Sequence, residues 1–228
     1  MRIQDTHETV GRLVAEVPTR ARVFERLGID YCCGGHRPLD EVARERGLDL
    51  AQLVRSVESA EAPTGATPDW LAATDEALIG HILESHHRYL HEELPALQLL
   101  VHKVLRVHGD SHPELAEVRR TYDAFAAELL GHMMKEEQIL FPMMERLRRG
   151  EIDAAGRCGD NPLRVMRLEH EGAGRGLARL RELTREYAAP EGACNSYRAM
   201  LARLEHMEQD THEHVHKEEN ILFPRFVW

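Results

Sequence analysis

The chain is short of aromatic side chains: Phe, Trp and Tyr make up 5% of its 228 residues. Leu, Ala, Glu and Arg abound instead, a composition that favours helix, and no stretch reads as a strand. It also lacks any run of 18 apolar residues and any apolar stretch near its start. It is therefore expected to carry neither a membrane span nor a secretory signal, and to be cytoplasmic. Positive charge is not in excess: 29 Lys and Arg stand against 39 Asp and Glu, a net charge of -10. That balance argues against a nucleic-acid or anionic-membrane surface. Cysteine is scarce, with two adjacent residues (Cys32, Cys33) and two scattered ones (Cys158, Cys194). Adjacent cysteines rarely bridge each other, so this is not a disulfide scaffold.

What is present is a helical pattern in two parts. Residues 1–65 read as a small helical domain with short helices, a break near Pro18, a stop at Gly28, and a loop "IDYCCGG" carrying the cysteines. It ends in the linker "SAEAPTGATPD". Residues 66–228 read as four long helices, at about 71–108, 113–149, 162–188 and 195 to the end, which predicts an all-α, up-down four-helix bundle. Pro95 should kink the first of these or mark an irregularity.

The bundle writes one sentence twice. "HMMKEEQILFP" (132–142) and "HVHKEENILFP" (214–224) match at eight of eleven positions, 82 residues apart. Residues i and i+4 share a helix face, so His132 pairs with Glu136 and His214 with Glu218. One His/Glu pair is commonplace on a surface, but two in the same register beside the same apolar neighbours are not. Glu137 and Glu219 point about 100° away. Two such helices offer two imidazoles and two carboxylates, and carboxylates can bridge two cations about 3.5–4 Å apart. If the other two helices are also equivalent, they supply the remaining nitrogens: His170 lies 44 residues before His214, and His87 lies 45 before His132. A face count along the first helix slightly favours the neighbouring His86, and periodicity leaves that choice open.

The motifs "DYCCGG", "HILESHHRYLHEELPAL", "HMMKEEQILFP", "MRLEHEGAG" and "HKEENILFP" together resemble the iron-sulfur cluster repair di-iron proteins (the RIC or ScdA family), over nearly the whole chain. The resemblance implies a hemerythrin-like bundle holding two irons on His87, His132, Glu136, His170, His214 and Glu218, with both glutamates bridging. It selects His87, eight residues before Pro95. It puts Glu128 and Glu169 near the metal as supporting groups or proton relays, and gives His108, at a further histidine-bearing position, the same supporting or relay role. Gly174 stands where oxygen-carrying hemerythrins resemble one another in having another histidine, which implies a more open site.

The implied function is repair of iron-sulfur clusters damaged by nitrosative or oxidative stress, by iron supplied from a labile di-iron centre. Damaged iron-sulfur proteins or cluster-assembly proteins would be the partners, nitric oxide or oxygen the small ligands, and homodimerisation is also implied. Cys32 and Cys33, in a glycine-rich turn expected to expose both sulfurs, would serve as redox or iron-transfer thiols. No residue is assigned as a catalytic acid, base or nucleophile. The alternatives are reduction of nitric oxide to nitrous oxide, or binding and sensing of a diatomic gas, at the same centre.

Overall fold

The computed structural model describes residues 3, 5–60, 68–152 and 162–226. The expected boundary near residue 65 and Cys158 lie outside the described residues. Among the described residues all regular structure is helical, apart from one isolated bridge between Thr9 and Pro38. The chain divides into two compact units, Met1–Leu78 with Glu213–Val227, and Ile79–His212.

The first unit contains α1 (Val10–Glu16), α2 (Ala21–Arg26), α3 (Leu39–Glu45) and α4 (Leu50–Glu58). Their starts follow capping chemistry: the Thr9 hydroxyl accepts from the Arg12 amide at 3.3 Å, and the Asp49 carboxylate from the Gln52 amide at 2.9 Å. Gly28 ends the α2 segment at φ +63°, where a Cβ would be strained. Val10, Leu13, Phe24, Leu39, Leu53 and Val57 form its core, each large side chain contributing about 1.5–3 kcal/mol by leaving water. The segment after the linker is tied to the chain's last turns by Arg225, whose guanidinium donates to the Ala73 carbonyl at 2.7 Å and the Asp75 carboxylate at 3.0 Å.

α5 (Asp75–His81) leads into the second unit. That unit holds α6 (Arg88–His108), α7 (Leu115–Lys135), α8 (Phe141–Arg148), α9 (Pro162–Leu183) and α10 (Asn195–Lys217) as far as His212. Leu90, Leu97, Val101, Tyr122, Phe125, Leu177, Leu180, Met200 and Leu204 pack its core, drawn from α6, α7, α9 and α10. α6 continues through Pro95 without a break in the helix. Among the described residues, three wide π turns interrupt the helices, at Ile82–His87, Glu136–Leu140 and Glu218–Leu222. So the expected continuous helices 71–108 and 113–149 are each broken by one.

Candidate metal centre

The "ILFP" ends of the two repeats explain two of the π turns. Pro142 and Pro224 carry no N–H, and each ring crowds the carbonyl four residues earlier. The helix widens in response. The Phe141 amide reaches back five residues to the Glu136 carbonyl, and the Phe223 amide to that of Glu218. Each nominated glutamate therefore sits at the first residue of a π turn, a distortion that recurs at functional sites.

In the second unit, four nominated residues come together and all are buried: His87, His132, Glu136 and His170. His87 Nε2 lies 3.5 Å from Glu136 Oε2, and His132 Nε2 lies 3.3 Å from Glu136 Oε1. His132 and His170 face each other, Nε2 to Nε2, at 2.9 Å. Two facing imidazole nitrogens need a proton or a cation to share. The separation is close to the roughly 3.0 Å subtended by two nitrogens at right angles on an ion about 2.1 Å from each.

Two carboxylates set the histidine tautomers. His132 donates its Nδ1–H to Glu169 at 2.9 Å, and His87 donates its Nδ1–H to Glu137 at 2.9 Å. With Nδ1 carrying the proton, each neutral ring presents its Nε2 lone pair to Glu136, the arrangement that metal-binding histidines use. Partial burial pushes the Glu169 carboxyl up, but hydrogen bonds from Lys135 and His132 outweigh it and hold the group below the usual range. Burial likewise raises the Glu137 carboxyl, and hydrogen bonds from His91 and His87 more than reverse it. Both groups are thus ionised acceptors. Phe141 covers the His87 ring, with centroids 5.8 Å apart. This donor set of neutral imidazoles and a buried carboxylate suits iron, manganese or zinc.

A cavity of about 460 Å³ opens beside this group, lined among others by Glu128, His132, Glu169, His170 and Arg175. Glu128 is on its exposed wall and Glu169 reaches His132 directly. His86 turns elsewhere, to Asp210 at 2.9 Å. His108 does not belong here. It ends α6, some 30 Å along that helix from His87 at 1.5 Å per residue, and its Nε2 lies 3.1 Å from Cys194 Sγ. That distance corrects the expectation of a supporting or relay role.

In the first unit, the second repeat forms its own pair: His214 Nε2 lies 3.0 Å from Glu218 Oε1, both fully buried. The cysteine loop packs against the same turn of chain. Cys32 is 5% exposed and Cys33 half-buried, which corrects the expectation that both sulfurs face solvent. The Cys32 thiol is pushed well up by its hydrogen bond with Cys33, then by burial and by Asp30.

Two features escaped the sequence. Glu137 was set aside as pointing about 100° from Glu136, yet that angle is what brings it behind His87. Asn220 donates to the Cys32 carbonyl at 3.0 Å. The clue to Asn220 was in the repeat, which has Gln138 at that register.

No helix among the described residues is long and apolar enough to cross a membrane. The family described as Hemerythrin HHE cation binding domain matches residues 78–226, and a domain of unknown function, ScdA_N (DUF542), matches residues 6–61. The iron-sulfur cluster repair protein YtfE of Yersinia pseudotuberculosis serotype O:1b is 34% identical over 219 residues, covering 96% of each chain. That of Pectobacterium carotovorum is 35% identical over 218 residues, again covering 96% of each chain. With both domains matched and relatives aligned over 96% of each chain, this chain belongs to the YtfE family of iron-sulfur cluster repair proteins.

Proposed function

We propose that the chain repairs damaged iron-sulfur clusters as a di-iron protein, in which His87, His132, Glu136, His170, His214 and Glu218 would hold the two irons. The observation that carries this reading is the pair of histidines whose Nδ1 protons are taken by Glu137 and Glu169 and whose Nε2 atoms converge on Glu136. The matched family spans 78–226 as a single domain and so includes all six residues, and the relatives named above are repair proteins. Iron bound there would supply both the ion to be donated and a redox-active centre for a diatomic ligand.

The chain's own residues do the rest. Glu137 and Glu169 hold the Nδ1 protons of His87 and His132, which keeps those rings neutral and aimed inward. Lys135 keeps Glu169 ionised. Phe141 shields His87 from water, and the cavity gives access on the His132 and His170 side. Glu128 and Glu169, on that wall, are placed to hold or pass a proton. Cys32 and Cys33 assist transfer to the acceptor. Iron-sulfur proteins damaged by nitric oxide or peroxide, or the proteins that assemble their clusters, are the partners, in the cytoplasm.

The test is reactivation of a nitric oxide-treated iron-sulfur enzyme, without oxygen, by the iron-loaded chain. Recovery that tracks iron transferred, and that fails with His132→Ala, supports repair; absence of recovery with the loaded wild-type chain refutes it. The cavity with its two carboxylates favours one second reading, reduction of nitric oxide to nitrous oxide. Repeated turnover with an added reductant is its signature, and a single stoichiometric reaction counts against it.

A further inference from the structure

The repeat breaks its own pattern at two positions on one helix face. Where the first copy has Met134 and Gln138, both exposed, the second has His216 and Asn220. Nothing about a His/Glu pair requires that change. The first unit accounts for it. His216 Nδ1 lies 3.3 Å from the Tyr31 carbonyl, and Asn220 Nδ2 donates to the carbonyls of Tyr31 at 3.4 Å and Cys32 at 3.0 Å. Two glycines grip the Asn220 side chain. A Cβ on Gly11 would stand 2.1 Å from Asn220 Oδ1, and one on Gly35 would stand 2.3 Å from it. The Gly11 amide also donates to the Gly35 carbonyl at 2.8 Å. The cysteine loop is thus fastened at both ends and in its middle.

What the loop holds in place is a donor set. The two carboxylate oxygens of Asp30 accept from the Cys32 amide at 3.0 Å and the Gly34 amide at 2.9 Å, so this exposed carboxylate is fixed. Cys32 Sγ lies 3.1 Å from Asp30 Oδ1 and 4.0 Å from Cys33 Sγ. Two thiolates on a tetrahedral ion, each about 2.3 Å away, stand about 3.8 Å apart. A sulfur and a carboxylate oxygen on that ion stand about 3.5 Å apart, so both distances made by Cys32 are within a few tenths of an ångström of those in a closed site, and all three donor atoms lie within 4.8 Å of one another.

We propose that Asp30, Cys32 and Cys33 form a mononuclear site for a thiophilic divalent cation, built ready for it by Asn220, Gly11 and Gly35. Three protein donors leave a fourth position open, as in sites that exchange or react rather than sites that only brace a fold. Cys33, half-buried, is the entry side. Naming the ion as ferrous iron in passage to or from a damaged cluster rests on the repair reading above. The binding site itself does not.

Cobalt(II) tests the site, because thiolate ligation adds an intense near-ultraviolet charge-transfer band that imidazole and carboxylate ligands do not give. The full chain is used with Cys158→Ser and Cys194→Ser, so that the only thiols are Cys32 and Cys33. Saturating cobalt is expected to produce the band, Cys32→Ser with Cys33→Ser to abolish it, and His132→Ala to leave it in place. Asn220→Ala is expected to weaken cobalt binding about tenfold, the scale of a lost supporting residue. Asp30→Asn, which keeps the shape of the side chain, is expected to weaken it by at least as much, and it carries the test should the double serine variant not fold. Absence of the band, its survival in the double serine variant, or unchanged affinity in Asp30→Asn overturns the site. Any of these with iron still bound by the bundle would leave the repair reading standing.

Discussion

Alanine at Gly35 is the sharpest test of how the cysteine loop is held. The added Cβ would meet the Tyr31 carbonyl oxygen at 2.5 Å and Asn220 Oδ1 at 2.3 Å. An ordinary carbon-to-oxygen contact is about 3.3–3.6 Å, so both oxygens must retreat by about 1 Å. One belongs to the backbone and the other to a side chain. Overpacking of this kind costs about 1–3 kcal/mol, and losing the Asn220 hydrogen bond to Cys32 adds about 1 kcal/mol, so Gly35→Ala should destabilise by about 2–4 kcal/mol. Asn220→Ala alone removes the clamp and should cost about 1–2 kcal/mol. The double variant should cost less than the sum by about 1 kcal/mol, because removing the amide also removes half of the clash. Urea denaturation of the full chain across the four-member cycle measures this coupling. Gly80→Ala, where an added Cβ meets nothing within 4 Å, is the control and should stabilise by about 0.5–1 kcal/mol. Additive effects at positions 35 and 220, within about 0.5 kcal/mol, would refute the fit of Asn220 between the glycines.

Two further outcomes follow from the site chemistry. Glu137→Ala and Glu169→Ala keep every direct donor but remove the acceptors that set the His87 and His132 tautomers. Each should weaken iron binding about 10–100-fold, measured by anaerobic titration against a competing chelator; full affinity in both would show that the tautomers are set otherwise. Cys194 should be the fast-reacting thiol. Hydrogen bonds from the Tyr197 amide and from His108 hold its thiol below the usual range, whereas Cys32 is buried and pushed up. Iodoacetamide labelling of Cys194 should therefore titrate in below the ordinary cysteine pKa, and His108→Ala should move that midpoint upward. Preferential labelling of Cys32 would contradict this.

The all-α architecture and both His/Glu pairs were legible because duplication in one register is a signal that periodicity alone lacks. The choice between His86 and His87 shows where such reading stops. A face count assumes 3.6 residues per turn throughout, but Ile82–His87 is a π turn. The extra residue per turn delays the phase, and His87, not His86, turns towards Glu136. The same blindness hid Glu137, whose part depends on a partner from another helix. His108 failed for a different reason: helix length separates it from the site, and residue type cannot reveal distance. Cys32 was misjudged because flanking glycines signal a tight turn, but do not say what packs over it. The His216 and Asn220 contacts that cover this loop come from residues nearly 190 positions later in the chain.

The most direct test of the central claim is the iron content of the chain purified without oxygen, alongside His132→Ala and His214→Ala. A dinuclear centre built from both repeats predicts about two irons per chain, falling sharply in each variant. Iron-free wild-type protein, or variants that keep the wild-type amount, would contradict it and leave the repeated "KEE" and "ILFP" segments as packing alone.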